Sequence, residues 1–223
     1  MSVLRRSPLH DELSALEPTW LPAEGMQVAV RLGAELKTSK ARIADVSCLR
    51  RMGVKGPKAE AWLETQGVEV PPGVNRWLRT ADGLLVARLG RSEFLLEDVL
   101  GGRRVEALRG VVALPNGVYP VLRQDASLAL EGEGIALLLR ETCSVDFSAY
   151  AADDQSVVLT QLAGVSVIAF WEPNGNARRY RLFTDGSLGP YLFSKLVTLA
   201  KTHGGGASGL YELFPDAVKR LGA

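Results

Sequence analysis

The sequence predicts an α+β chain with mixed or antiparallel sheets, and three observations predict it. Short alternating segments with strand character outnumber the stretches that carry a helical stripe. The strands are not spaced by regular helices, which disfavours a doubly wound parallel sheet. A strand–glycine–helix pattern also occurs twice. Met52, Val54, Gly56, Ala59, Trp62 and Leu63 are matched 76 positions later by Leu128, Leu130, Gly132, Ile135, Leu138 and Leu139. Two pseudo-repeated β-β-α-β-β units are therefore expected: an extended arm over 1–25, a first α+β subdomain over 26–115 and a second over 116–223.

The elements follow in order. Pro8, Pro18 and Pro22 make the first 25 residues irregular. Gln27 to Leu32 alternates and reads as a strand, followed by strand segments from Arg42 to Val46 and Leu49 to Val54. Gly56-Pro57 opens a helix, because proline at the first helical position gives up an N–H that had no partner there. Ala59, Trp62 and Leu63 form its buried stripe, and Gly67 ends it. Leu84 to Leu89 and Glu93 to Leu96 flank Gly90-Arg-Ser92 as a hairpin. A polar stretch leads to a strand from Gly110 to Leu114 and a turn at Pro115-Asn-Gly117.

Strands from Val118 to Gln124 and Ser127 to Glu131 precede a helix opened by Gly132-Glu-Gly134. Further strands run from Val157 to Leu162, Val165 to Trp171 and Tyr180 to Thr184. Leu192, Phe193, Leu196, Val197 and Ala200 give the apolar face of a helix from Pro190 to His203, which Gly204-Gly-Gly206 stops. Tyr211 to Leu221 reads as a short terminal helix.

Composition excludes several classes. With 223 residues, 47% hydrophobic and 23% charged, the chain is long enough to bury ~70% of its unfolded surface. Aliphatic residues are too many, and a net charge of +1 too small, for disorder. The same charge argues against nonspecific nucleic-acid binding. No apolar run approaches the ~20 residues that cross a bilayer. Two cysteines, Cys48 and Cys143, give no disulfide scaffold, and two histidines, His10 and His203, no multi-histidine metal site. Arg5-Arg6 has no apolar stretch after it, so it is not read as an export signal, and the chain is expected in the cytoplasm.

Candidate chemistry is sparse. Gly132-Glu-Gly134 has the place of a dinucleotide loop but lacks its third glycine, and a close strand-to-helix turn explains it. Neither cysteine has a nearby histidine to activate it. Asp153-Asp154 reads as a solvated turn, and Gly204 to Gly209 as a flexible linker, since it follows a helix instead of opening one. Arg50-Arg51, Arg103-Arg104 and Arg178-Arg179 are basic pairs that read first as isolated surface arginines and otherwise as grips for a partner's carboxylates. Trp77, between Arg76 and Leu78, is the tryptophan best placed for a contact surface. Arg50, Arg51, Trp77, Arg178 and Arg179 are therefore the candidate partner-binding residues, and no catalytic or metal set stands out.

Asp45-Val-Ser-Cys48 through Gly56-Pro57-Lys-Ala59 to Leu63 resembles the opening block of glycine-cleavage T-proteins, the aminomethyltransferases. The hairpin from Leu89 to Leu96 resembles that superfamily's hairpin. Cys48 stands where those proteins have His, and the segment from Ala81 to Arg88 lacks their folate-orienting acid. Their central Gly-Glu folate motif is not found, nor is the Lys-Gly-Cys-Tyr-x-Gly-Gln signature of folate-binding repair proteins.

The sarcosine oxidase gamma subunit family is a closer match. Arg6-Ser-Pro-Leu9, Cys143-Ser-Val-Asp146, Thr160-Gln-Leu-Ala163, Tyr180-Arg-Leu182 and the turn from Gly186 to Tyr191 follow its order. At that turn Gly186-Ser-Leu-Gly-Pro190 replaces the family's more usual Arg-Ser-Phe-Ala. The resemblance implies the folate-binding aminomethyltransferase fold and a non-catalytic subunit of a heterotetramer. Its alpha and beta partners would carry FAD, FMN and NAD, its delta partner zinc, and this chain no cofactor. The complex would demethylate sarcosine or a related N-methyl amine and pass the one-carbon unit to tetrahydrofolate. A stand-alone folate-binding aminomethyl- or methyltransferase is the alternative, and a folate site on this chain stays open.

Overall fold

A computed structural model describes residues 3–33, 40–151, 153–175 and 177–220. Met1, Ser2 and Leu221 of the segments discussed above lie outside the described residues. In chain order the elements are α1 (His10–Ser14), β1 (Thr19–Ala23), β2 (Met26–Arg31), β3 (Arg42–Asp45), β4 (Arg51–Lys55), α2 (Ala59–Thr65), β5 (Arg76–Arg79), β6 (Leu85–Gly90), β7 (Glu93–Glu97), α3 (Arg104–Arg109) and β8 (Tyr119–Leu122). Then come β9 (Ala126–Glu131), α4 (Ile135–Thr142), a 3-10 turn at Phe147–Ala149, β10 (Val158–Leu162), β11 (Val165–Asn174), β12 (Ala177–Thr184), α5 (Gly189–Thr202), β13 (Gly206–Ser208), α6 (Leu210–Leu213) and α7 (Pro215–Lys219).

The chain divides into two units. Unit 1 gathers Met1–Cys48, Gln124–Asp154 and Leu159–Ala223, and unit 2 Leu49–Arg123 with Gln155–Val158. This is not a division at residue 115, because strand pairing joins segments far apart in sequence. In unit 1 the strand order is β10-β11-β12-β9-β3-β13, antiparallel except for β13 on β3, and β1 and β2 form a separate ribbon. Helix α5 packs on β3, β9 and β13 and beside α4, burying the Leu192, Phe193, Leu196 and Val197 face. In unit 2 the antiparallel order is β5-β6-β7-β4-β8. Its core holds Met52, Val54, Trp62, Leu63, Phe94 and Leu96 with Val105 and Leu108 from α3.

The two strand–glycine–helix segments occupy equivalent places. Gly56 follows β4 at φ +119° and Gly132 follows β9 at φ +117°, a region open to glycine and strained for other residues. All the apolar positions paired at the 76-residue offset are buried. The run shared by the units is nevertheless β-α-β-β-β, not β-β-α-β-β. The strand at Arg42–Asp45 pairs with β9 in unit 1, whereas Tyr119–Leu122 pairs with β4 in unit 2, so each expected first strand belongs to the other sheet.

Several segments depart from the sequence reading. The expected terminal helix is broken at Phe214 into α6 and α7, and the segment around Trp77 is strand β5 instead of a loop. The first 25 residues contain α1 and β1; Leu9 and Leu13 are fully or almost fully buried, so the arm folds back through apolar contacts. Residues 111–115 form no strand, because Gly110 closes α3 while its last N–H bonds helical carbonyls and the chain then leaves as a loop. The expected linker from Gly204 to Gly209 contains β13 and buried Gly205 and Gly206. A Cβ at Gly205 would lie 1.9 Å from the Ala41 carbonyl oxygen, so close backbone approach explains that glycine.

Candidate functional site

Several of the motifs that carry the family resemblance meet in space within unit 1, while the Gly56–Leu63 stretch and the hairpin from Leu89 to Leu96 belong to unit 2. Asp45 ends β3, and its carboxylate accepts the Ser47 N–H at 2.9 Å and the Ser7 hydroxyl. Ser7 in turn accepts the Leu9 N–H at 3.1 Å. Ser47 accepts the Ser127 N–H at 3.0 Å, and the Ser127 hydroxyl accepts from Arg181 at 3.3 Å. Thus Arg6-Ser-Pro-Leu9, Asp45-Val-Ser-Cys48 and Tyr180-Arg-Leu182 share one largely buried hydrogen-bond network. Cys143 accepts the Val145 N–H and lies 3.5 Å from the Thr160 hydroxyl, joining two further motifs. These polar groups satisfy each other instead of converging on an open pocket, as buried polar groups must.

The arginine pairs are mostly internal struts. Arg51 is 3% exposed and its Nε donates at 3.1 Å to Glu97, itself 1% exposed and its cross-strand neighbour. Half-buried Arg50 donates to the Gly102 carbonyl at 3.1 Å. Arg178 donates to the carbonyls of Phe147 and Tyr150 and lies over the Trp171 ring. Arg179 donates to Glu131 and, at 2.9 Å, to the Leu213 carbonyl, with its guanidinium over Phe214. Arg103 and Arg104 pair with Glu106 and Asp82. Trp77 is 6% exposed on β5, with β6 and β7 between it and Arg51 on β4. The fold does not gather Arg50, Arg51 and Trp77 into one patch. Their acceptors lie 46 or more residues away, so adjacency of two arginines could not reveal them.

An open cleft of about 700 Å³ lies beside α4 and the end of α5, lined by Lys40, Glu133, Gly134, Leu137, Thr202 and His203. Lys40 pairs with Glu133 at 3.6 Å, and His203 Nε2 lies 3.1 Å from Glu141. The Gly134 amide, which a dinucleotide loop would turn to phosphate, donates to the Lys40 carbonyl at 2.7 Å. Gly134 is there for packing, since its Cβ would meet His203, Lys40 and Ala41 within 3.4 Å. Among the described residues no group of three or more His, Cys, Asp or Glu could hold a metal ion.

The carboxyls of Asp82, Asp146 and Asp185 sit below the ordinary 3.8. Each is held there chiefly by a side-chain hydroxyl: Asp82 by Thr80, Asp146 by Ser148 and Asp185 by Ser187. All three stabilise turns, and none lines the cleft. Arg88 occupies the segment where T-proteins carry their acid, forking onto Glu60 with two 2.7 Å bonds and bonding the Pro71 and Arg91 carbonyls. Cys48 is buried, and Asp153 and Asp154 lie at a turn. No helix among the described residues is long and apolar enough to cross a membrane.

Comparison with known proteins places this arrangement. No family model matches the chain. Sarcosine oxidase subunit gamma of Corynebacterium sp. strain U-96 is 27% identical over 167 residues, which cover 74% of this chain and 76% of that one. The glycine cleavage system aminomethyltransferase T from Bartonella henselae superposes with a TM-score of 0.68 over 93% of this chain, at 16% identity. This chain spans 60% of that protein's length. The heterotetrameric sarcosine oxidase from Corynebacterium sp. U-96, in complex with pyrrole 2-carboxylate, contains a chain that superposes with a TM-score of 0.64 at 22% identity, covering 90% of this chain and 96% of that one. The chain is thus similar in sequence to the sarcosine oxidase gamma subunit and carries the aminomethyltransferase fold.

Proposed function

We propose that this chain is a non-catalytic, gamma-type subunit of a heterotetrameric sarcosine oxidase-like complex, working in the cytoplasm with alpha-, beta- and delta-type partners. The observation that carries the reading is the similarity to a subunit gamma along three quarters of both chains. The consumption of the motif side chains by internal hydrogen bonds supports a scaffold role. In this reading the oxidative demethylation of sarcosine or a related N-methyl amine, and transfer of the one-carbon unit to tetrahydrofolate, belong to the partners. FAD, FMN, NAD and tetrahydrofolate are then partner ligands. Arg50, Arg178 and Arg179, all half-buried, present their outer edges to partner carboxylates, while Arg51 and Trp77 hold up the surfaces around them.

The aminomethyltransferase fold and the 700 Å³ cleft, a volume within the ~300–1,000 Å³ of ligand pockets, favour a second reading as a stand-alone folate-binding transferase. Titration calorimetry of the purified chain with tetrahydrofolate, and a sarcosine turnover assay on the same sample, separate the two. The subunit reading expects no binding heat at high micromolar ligand and no glycine formed. Saturable heat with turnover proportional to this chain alone would establish the transferase instead.

A further inference from the structure

Unit 2 contains a small apolar cavity of about 150 Å³, lined by Met52, Val54, Trp62, Leu108, Leu114 and Pro120. It lies between one face of the sheet and the α2, α3 and 110–118 segments. Arg109 stands at the same cavity. Its volume falls below the ~300 Å³ at which pockets take drug-sized ligands, so a flavin or pterin has no room, whereas an anchoring side chain does. Leu122 lies two residues beyond Pro120 and pairs with Met52 across the ladder, so both β8 residues share the cavity's face of the sheet. Leu122 is 70% exposed, and Val112, in the loop that supplies Leu114, is 98% exposed.

β8 is also an outer strand of its sheet. Pro120 removes a donor there and opposes strand-on-strand pairing. The chemistry left to this face is insertion of a side chain. Charge then says what surrounds that side chain. Residues 101–122, which supply α3 and the loop at the cavity, carry Arg103, Arg104 and Arg109 against Glu106 alone. Unit 2 as a whole has twelve Lys and Arg against eight Asp and Glu, whereas unit 1 has fourteen against seventeen. The partial pairing of Arg103 with Glu106 and of Arg104 with Asp82 leaves this surplus in place.

We infer that this face of unit 2 docks a partner protein chain through one apolar side chain that enters the cavity between flanking carboxylates. The inference rests on the subunit reading and adds the surface and the partner's chemistry. Carboxylates on the partner complement the basic surplus and set its orientation.

The test uses the tagged full-length chain, co-expressed with the alpha, beta and delta subunits of a sarcosine oxidase complex and recovered on affinity resin. Leu122→Glu and Val112→Asp change exposed side chains, and thermal melting verifies their folding. Each is expected to lower recovery of the partners about ten-fold or more. Leu122→Lys removes the same apolar surface with the opposite charge. It is expected to recover more partner than Leu122→Glu at low salt, with the difference gone at 1 M salt, where the Debye length is about 3 Å. Leu159→Glu, at an exposed position of β10 in unit 1, is expected to bind as wild type.

Wild-type recovery with all three unit 2 variants would overturn the inference and leave the subunit reading standing. Leu122→Lys binding no better than Leu122→Glu would overturn the acidic partner surface. An isolated chain that sediments as a dimer split by Leu122→Glu would assign the face to a second copy and overturn it too. No partner recovered by the wild type would remove the subunit reading itself.

Discussion

Replacing Arg51 by Met tests whether this arginine is a strut or a surface group. Its guanidinium lies 3.1 Å from Glu97, and both side chains are almost wholly excluded from water. Removing one partner of such a pair leaves a buried charge uncompensated, which costs about 3–5 kcal/mol. That is a factor of roughly 100 to 5,000 in the folding equilibrium. For a urea slope of ~2 kcal/mol/M the midpoint falls by about 1.5–2.5 M. The double variant Arg51→Met/Glu97→Leu removes both charges and is expected within ~1 kcal/mol of wild type, because an apolar replacement avoids the desolvation of two ions. Hydrogen exchange at the β4 and β7 amides reads unit 2 separately from unit 1. An Arg51→Met chain within ~0.5 kcal/mol of wild type would refute the strut assignment, since surface substitutions stay in that range.

Gly56→Ala places a Cβ 2.2 Å from the Gly117 carbonyl oxygen at φ +119°, so it should destabilise unit 2 by more than the ~1–3 kcal/mol of backbone strain alone. Gly101→Ala, at φ +87° with nothing within 4 Å, is the control that shows strain only, and denaturant melts compare them. Ser7→Ala removes the hydroxyl that ties the N-terminal segment to Asp45 and should cost about 1–3 kcal/mol, read as faster proteolysis before residue 25. Asp146 and Asp185 titrate below their unfolded 3.8, so their stabilisation is complete above that pH and is lost as pH falls through the lower folded values. Ser187→Ala should move the Asp185 titration up toward 3.8, as carboxyl chemical shifts would record.

Elements with a strong local pattern were legible. The stripe of α5 and the Gly-Pro start of α2 are visible because periodicity and capping act within a few residues. β13 was not legible, because a three-residue parallel strand in a glycine run exists only through its pairing with β3, about 160 residues earlier. The interchange of β3 and β8 between the expected repeats has the same origin: alternation marks a strand without naming its neighbour. Arg178 and Arg179 look like a surface pair in one dimension. Carbonyls of Phe147 and Tyr150, and Glu131 with the Leu213 carbonyl, take two donors of each from distant segments. The motif Asp45-Val-Ser-Cys48 was visible, but that its Asp and Ser bind Ser7 and Ser127 required the fold.

Native mass spectrometry of the co-expressed four-subunit mixture tests the central claim most directly. The account predicts one copy of this chain in a particle with one copy of each of the other three. A three-subunit particle that assembles fully without this chain, while the chain flies as a separate monomer, would contradict it.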